Sequence, residues 1–536
     1  MLTVREAAFD LFRAHGMTTI FGNPGSTELP MLADFPDDFR YILGLQEAVV
    51  VGMADGYAQA SGRVAHANLH TAPGVGNAMG AIFTAKANKS PVLITAGQQV
   101  RPYQTLQANL TNYRATEVPQ PYVKWSFEPP RAEDVPAALA RALHLASLPP
   151  AGPAFVSVPM DDWAQPVDPA TAGRLVARRV TGRATPDPAA VADLARRLAA
   201  AERPMLVAGP GIDAANAWPD AIRLAEEQDM AVWATPAPGG GRLGFPESHP
   251  RFRGVLPPAI GPAGQVLGRH DFVLVLGSSV FPYYPYIPGE ALPAGTELLA
   301  VTDDPDEAAR APAGDAIVAD VGLTLAALLA ALPPRGATTI AAPAAAERVR
   351  EESDPDGRLH PAHAYEALAD VLPDSGIVVL ESPSSTLLFR DRVRLARPGS
   401  YYFGASGGLG FGLAAAIGVR LASPSRPVVC VLGEGSAQYA ITGLWTAQAY
   451  NIPVTFLILR NDEYSILKWF ASMAQVHGVP GLDLPGLDVA ATAASYGVHS
   501  DHAADLEQLR VLLRDAIADD RPRVIQVDVV KGLPLL

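Results

Sequence analysis

The residues best suited to chemistry lie in the last third of the chain. The apolar run Val428–Leu432 leads directly into Gly433-Glu434-Gly435-Ser436, and a second run, Val454–Leu459, leads into Arg460-Asn461. Glu434 and Asn461 are 27 residues apart with a helical stretch between them. Each therefore falls at the carboxyl end of a strand, and neighbouring strands would bring both to the rim where open α/β sheets bind ligands. A carboxylate and an amide oxygen there are hard donors suited to Mg2+. Gly433, Gly435 and Ser436 let backbone N–H groups approach a phosphate at the start of the next helix. The predicted chemistry is a divalent ion bridging the protein and a diphosphate. Taken alone, Gly-Glu-Gly is also an ordinary turn with a solvated Glu; the whole 433–461 pattern favours the metal.

Three residues near the N-terminus add to this. Glu47 interrupts the apolar stretch LGLQEAVVVGMADGYA, where a carboxylate can hold or share a proton near neutrality; the alternative is a helix-start Glu reaching solvent. His70 follows an apolar run and precedes Gly74 and Gly76. A lone His is usually structural, but one at a strand end beside a Gly-rich turn is better placed for catalysis. Ser26, in GNPGST, could bind an anion or cap a helix beginning near Glu28, and considered alone capping is favoured.

Positioning these residues requires strands that end where they begin. Thr18–Phe21, Val64–Leu69, Pro91–Ala96 and Ala154–Val158 read as strands of a first unit; Pro204–Gly209, Ala231–Ala234, Phe272–Leu276 and Glu297–Val301 of a second; Ile377–Leu380, Val428–Leu432, Val454–Leu459 and Val524–Val529 of a third. Strands alternating with helices predict parallel sheets with helices on both faces. The fold class is therefore α/β, with three doubly wound domains over 1–175, 185–335 and 357–536. Asp162–Thr185 and Leu332–Asp356 read as linkers. TAPGVGNAMGAI (71–82) and GGLGFGLAAAIG (407–418) share a Gly-rich turn running into a small-residue helix, a pattern also generic in α/β folds.

The 536 residues carry 41 Lys+Arg against 55 Asp+Glu, a net charge of −14, with 49% hydrophobic and 18% charged residues. Such a chain has ample material for cores and is not mainly disordered. With no basic block, nucleic acid is not an expected partner. The single Cys430 excludes an intrachain disulfide framework and a Cys-rich zinc site. MLTVREAAFDLFRAHG, with Glu6 and Asp10, reads as an amphipathic helix rather than a signal peptide. No apolar run reaches the roughly 18 residues needed to span a bilayer, so a cytoplasmic enzyme without membrane association is expected.

Together these residues resemble the thiamine-diphosphate-dependent 2-oxo acid decarboxylase family, and its benzoylformate decarboxylase branch in particular. FGNPGSTELP, DFRYILGLQEA, ADGYAQAS, GNAMGA, VKWSFEP, PAHAYEAL, ARAPAGDAIVAD, GSYYFGASGGLGFGL and LWTAQAYNIP carry the resemblance along essentially the full length. It implies pyrimidine-binding, middle and diphosphate-binding domains, thiamine diphosphate with Mg2+ (or Ca2+ or Mn2+ in its place), and no FAD. It further implies an active site at a homodimer interface and a homotetramer as the usual assembly. Carried over by residue, Glu47 would bond the pyrimidine N1′ and His70 would exchange protons with the substrate-derived adduct. Ser26 would bind the substrate carboxylate. The Gly407 carbonyl would accept from the 4′-amino group, Leu409 would buttress the bent cofactor, and Ser384 and Tyr464 would help hold it. Glu463 would join Glu434 and Asn461 around the metal. Pro24, Leu110, Phe403, Ile466, Leu467, Phe470 and Leu482 would form an apolar substrate pocket.

The chain departs from the family pattern in four places. The family's second active-site histidine aligns with Tyr284 in SSVFPYYPYIPGE, which contains no His; a phenol, with an ordinary pKa of about 10, is the poorer proton shuttle. Glu434 stands where the family has Asp, one methylene or about 1.5 Å longer. Ile466 replaces a small residue, and Pro383 replaces a hydroxyl residue. The expected function is decarboxylation of an aryl or large apolar 2-oxo acid to aldehyde and CO2. The alternatives are a carboligase using the same cofactor and a weakly active cofactor-binding homologue, the latter prompted by Tyr284 and Glu434.

Overall fold

Apolar runs become the inner strands of three six-stranded sheets, and every pairing between the strands is parallel. The structure is a computed structural model and describes residues 1–236, 241–335 and 356–532. In the first sheet, Thr19–Gly22 (β1), Arg40–Leu43 (β2), Ala65–Leu69 (β3), Val92–Gln98 (β4), Ser126–Phe127 (β5) and Ala154–Pro159 (β6) lie in the order β2-β1-β3-β4-β6-β5. In the second, Pro204–Ala208 (β7), Ala231–Ala234 (β8), Phe252–Val255 (β9), Phe272–Leu276 (β10), Glu297–Thr302 (β11) and Asp315–Val318 (β12) lie in the order β12-β11-β10-β7-β8-β9. In the third, Ile377–Glu381 (β13), Tyr401–Phe403 (β14), Val428–Gly433 (β15), Val454–Arg460 (β16), His499–Ala503 (β17) and Arg523–Asp528 (β18) lie in the order β14-β13-β15-β16-β18-β17. Helices alternate with the strands, so the α/β class read from the sequence holds.

Each sheet has a central reversal in strand order, the place where such sheets open a crevice between two strand ends. The reversal lies between β1 and β3 in the first sheet, β7 and β10 in the second, and β13 and β15 in the third. At the second reversal the backbones after β7 and β10 meet closely: Gly211 N–H donates to Gly277 O at 2.8 Å, and a Cβ on Gly209 would lie 2.6 Å from the same oxygen. A cleft lined in part by Pro210, Gly211, Gly277 and Ser278 lies beside them.

The units share cores. One apolar cluster joins Phe21, Val50 and Ile94 of the first unit to Val379, Ile417 and Cys430 of the third, and another joins the second to the third. The Glu47–Ser61 helix crosses the Phe411–Ala422 helix so closely that a Cβ on Gly56 would sit 2.2 Å from Ala415 O. Between the second and third units, buried Arg390 donates to buried Glu247 at 2.5 Å.

The amphipathic N-terminal helix forms as expected, over Val4–Ala14, and begins in a Thr3–Glu6 capping box. Two expectations change. The stretch read as a first linker contains a helix, Pro169–Ala177, capped by Asp168 with Ala172 buried; its mostly exposed residues mask the signal. Gly74 and Gly76 lie inside a helix, Thr71–Asn77, rather than in a turn, so His70 is the residue before a helix N-terminus. Of the second expected linker, residues 336–355 lie outside the described residues. Among the described residues no helix is long and apolar enough to cross a membrane.

Candidate active site

Two polar clusters form, one at the reversal of the first sheet and one at that of the third. In the first unit, β1 ends at Gly22 and β3 at Leu69, so the Asn23–Thr27 loop faces His70. Glu28, only 1% exposed, sits behind the imidazole. One oxygen accepts from Gly97 N–H at 2.7 Å and the Thr27 hydroxyl at 2.8 Å. The other accepts from Gly25 N–H at 2.7 Å and lies 2.9 Å from His70 Nδ1. These four partners fill the carboxylate's acceptor sites. A carboxylate at Nδ1 places the imidazole proton there and leaves Nε2 as the basic nitrogen. The packing depends on missing side chains: a Cβ on Gly25 would lie 2.1 Å from His70 Nδ1, and one on Gly97 would lie 2.2 Å from Glu28 Oε1.

Glu47 is the first residue of its helix and 7% exposed. It does not reach into solvent: Asn23 Nδ2 donates to it at 3.2 Å and Asn77 Nδ2 at 3.0 Å. Ser26 is exposed and caps nothing, since the short Leu29–Leu32 helix has no side-chain cap. The sequence reading passed over Glu28, Asn23 and Asn77. Their signal was weak, because each is a single polar residue in a loop or helix whose partners are distant in the chain.

In the third unit a cleft enclosing ≈ 520 Å³, solvent at its mouth included, opens at the β13/β15 reversal and the end of β16. Ser384, Leu409, Gly433, Glu434, Gly435, Ser436, Asn461, Glu463, Tyr464 and Ile466 line it, together with Ser382, Ser385 and Pro361. Adjacency of β15 and β16, with Gly433 paired to Leu459, brings Glu434 beside Asn461, and Asn461 N–H donates to Glu434 Oε1 at 3.1 Å. Burial raises the Glu434 carboxyl above its ordinary range, against hydrogen bonds from its own N–H and those of Asn461 and Asp462. Asn461 Nδ2 donates to Ser465 Oγ at 2.7 Å, and its amide oxygen accepts from Glu463 N–H at 3.1 Å, leaving one lone pair of that oxygen. The serines were read only in part: Ser382 and Ser385 hydroxyls are 2.8 Å apart, and Tyr365 reaches Ser385 at 2.5 Å.

Glu463 behaves differently from a free metal ligand. Its carboxylate accepts from Ser465 Oγ and Lys468 Nζ, each at 2.6 Å, and from Gly532 N–H at 2.9 Å. Burial raises its pKa, but Lys468, Ser465 and Gly532 more than offset this and hold the carboxyl below its ordinary range. Among the described residues no three His, Cys, Asp or Glu side chains converge as a complete metal cage. Glu434 and Asn461 still fit Mg2+, which binds through one or two protein oxygens while waters and phosphate oxygens complete its shell.

The remaining residues divide. Ile466, Leu467 and Phe470 share the Ser465–Met473 helix, and Leu482 O accepts from Tyr464 N–H at 2.9 Å. Tyr284, 59% exposed, places its ring 4.8 Å from that of Phe470, so the middle unit reaches the same wall. Gly407, at φ +74, lies in an exposed turn beside Leu409. Phe403 sits on β14 with its side chain in the core shared by the second and third units, and it does not line the cleft. Pro24 and Leu110 belong to the first unit, and no first-unit residue lines the cleft.

Three family models match in order: the thiamine pyrophosphate enzyme N-terminal TPP binding domain over residues 2–118, the central domain over 191–328 and the C-terminal TPP binding domain over 384–527. The chain belongs to the thiamine pyrophosphate enzyme family. It is 50% identical over 527 residues, 98% of this chain and 99% of the relative, to a benzoylformate decarboxylase of Pseudomonas aeruginosa. A Rhodococcus jostii thiamine diphosphate-dependent 4-hydroxybenzoylformate decarboxylase superposes with a TM-score of 0.95 at 44% identity, covering 99% of both chains. Benzoylformate decarboxylase from Polynucleobacter necessarius gives 0.95 at 41% identity over all of both chains.

Proposed function

We propose that this chain is a thiamine-diphosphate- and Mg2+-dependent carboxy-lyase that converts an aryl or large apolar 2-oxo acid of the benzoylformate class to its aldehyde and CO2. The observation that carries this reading is the pairing of the Glu47/His70–Glu28 cluster with the Glu434–Asn461 cleft, in a chain 50% identical along nearly its whole length to a benzoylformate decarboxylase. The units are taken as 1–175, 185–335 and 357–536.

When bound, thiamine diphosphate supplies the electron sink for the bond that releases CO2. Glu434 and Asn461 would hold the divalent ion against the diphosphate, and Gly433, Gly435, Ser436 and Ser384 would hold its oxygens. Glu463, its carboxylate engaged with Lys468, would contribute through its main chain. Glu47, fixed by Asn23 and Asn77, would hold the aminopyrimidine with Gly407, while Leu409 would support the cofactor and Tyr464 would flank it. His70 moves a proton at Nε2 because Glu28 holds Nδ1. The exposed Ser26 hydroxyl is free to donate to a substrate carboxylate. Ile466, Leu467, Phe470 and Leu482, joined by Pro24 and Leu110, would give the aryl group an apolar wall and exclude water.

No first-unit residue lines the cleft within one chain, so the reading calls for a homodimer in which Glu47 and His70 of one copy close over the cleft of the other. A homotetramer is the larger assembly expected. Exposed Leu45, Leu106 and Tyr113 in the first unit and Tyr439, Leu467 and Val476 near the cleft supply apolar surface for it. The test is to load the protein with thiamine diphosphate and Mg2+ and follow benzoylformate, benzaldehyde and CO2. Equal release of aldehyde and CO2 supports the reading. No turnover overturns it, and 2-hydroxy ketone as the main product would assign the chain to the carboligases instead.

A further inference from the structure

The segment 404–412 carries Gly407 and Leu409 between β14 and the Phe411–Ala422 helix. Three of its residues donate to one side chain: Gly410 N–H to Glu381 Oε1 at 2.6 Å, Phe411 N–H to the same oxygen at 3.3 Å, and Gly412 N–H to Oε2 at 2.8 Å. Glu381 is the last residue of β13, 5% exposed, and points across the reversal in strand order that opens the cleft. Those donors are orphan N–H groups at a helix start, and no side chain of the turn itself caps them. Gly410, at φ +105, adopts a backbone that only glycine takes readily, so the turn leading out of Leu409 needs an outside anchor.

The other side of the segment is held from the first unit. Asn88 Oδ1 accepts from Ala405 N–H at 2.9 Å, and Thr84 Oγ1 lies 2.9 Å from Ser406 Oγ. Asn88 in turn donates from Nδ2 to Asp55 Oδ2 at 2.8 Å. Asp55 is 1% exposed and also accepts from Gln59 and Ser90. The amide of Asn88 is thereby held in one orientation, its NH2 on Asp55 and its oxygen on the loop.

We propose that Glu381 directly, and Asp55 through Asn88, are positioning residues that clamp the 404–412 loop from opposite sides and so set the geometry in which Leu409 meets the cofactor. Neither carboxylate lines the cleft, so each would act through the loop. This rests on the reading of the third-unit cleft as the thiamine diphosphate site.

The test compares Glu381→Gln, Asn88→Ala, Leu409→Ala and the Glu381→Gln/Leu409→Ala double variant with wild type. Affinity for thiamine diphosphate at saturating Mg2+ is measured by calorimetry, and unfolding midpoints are measured without cofactor. Gln526→Ala is the control. Gln526 is buried in the same sheet and caps the Val489–Ser495 helix through Val489 and Ala490 N–H, away from the cleft lining. Glu381→Gln and Asn88→Ala should each weaken cofactor binding about tenfold or more, whereas Gln526→Ala should lower the unfolding midpoint without changing that affinity. The loss in the double variant should fall short of the product of the single losses, because both changes act on one loop. Unchanged affinity in Glu381→Gln and Asn88→Ala, or strict multiplicativity with Leu409→Ala, overturns the clamp. If wild type itself binds no thiamine diphosphate, the reading of the cleft fails and the clamp fails with it. If Leu409→Ala alone has no effect, the role given to Leu409 is wrong, and the clamp as stated is overturned while the cleft assignment stands.

Discussion

At the residue scale, the chemistry depends on how side chains hold one another. In the proposed reaction His70 depends on Glu28 for its tautomer, and Glu28 can hold it because Gly25 and Gly97 let it approach. Glu28→Gln places an NH2 among donors it cannot serve. It should lower kcat by about a hundredfold, in the range expected for losing a positioned proton donor, with a much smaller change in KM; steady-state kinetics with benzoylformate would check this. Tyr284 makes a second case. Its ring rests on Phe470 at the wall of the proposed pocket, and the middle unit offers no histidine in that stretch. If His70 alone serves both proton transfers after CO2 leaves, aldehyde release is slow and a second aldehyde competes for the intermediate state. Tyr284→His should then raise benzaldehyde turnover and lower the fraction of 2-hydroxy ketone at a fixed added aldehyde concentration. An unchanged product ratio by chromatography would show Tyr284 to be packing only.

At the element scale, strand ends and helix starts make the site. Glu434 and Asn461 meet because β15 and β16 are neighbours in register. Glu434→Ala removes one of the two side-chain ligands proposed for the metal and should abolish Mg2+-dependent cofactor binding; calorimetric affinity that is equal with and without EDTA would exclude this site. Glu381 illustrates the energetics of a buried cap. Burial pushes its pKa up from 4.5 to about 7, partly countered by the N–H groups of Gly412, Gly410 and Phe411. A carboxyl raised on folding stabilises the protein fully below its unfolded pKa, and that contribution is lost as pH rises through the folded value. Unfolding free energy should therefore fall between pH 4.5 and about 7 on account of this group. Glu381→Gln should flatten that part of the profile, as read by urea unfolding of the cofactor-free protein at pH 5 and pH 8. An identical slope in the variant would place the titration elsewhere.

At the scale of the whole molecule, the question is which copies complete a site. If each cleft takes Glu47 from a partner, two inactive variants should complement. Subunits of Glu47→Gln and Glu434→Ala, dissociated and reassociated together in equal amounts, should give mixed dimers with one intact site. Random pairing then restores about a quarter of wild-type activity; no recovery would show that each chain supplies its own Glu47. Much of this architecture was legible in the sequence. Twelve expected strands appear with small shifts at their ends, and the six that went unread, β2, β5, β9, β12, β14 and β17, are the two edge strands of each sheet. Inner strands of a parallel sheet are buried on both faces and read as apolar runs. An edge strand such as His499–Ala503 or Asp315–Val318 is largely exposed and leaves no such signal. By the same logic Glu47, His70, Glu434 and Asn461 could be read locally, because each follows an apolar run or breaks one. Asp55 and Glu381 also stand in or after apolar runs, but what they and Glu28 hold could not be read, because only tertiary contacts bring Gly97 to Glu28, Ser90 to Asp55 and Gly410 to Glu381. The sequence by itself determined the inner strands and the residue types at their ends. The tertiary structure decided which of those ends adjoin, since strand order is set by long-range packing of apolar faces that no local pattern encodes.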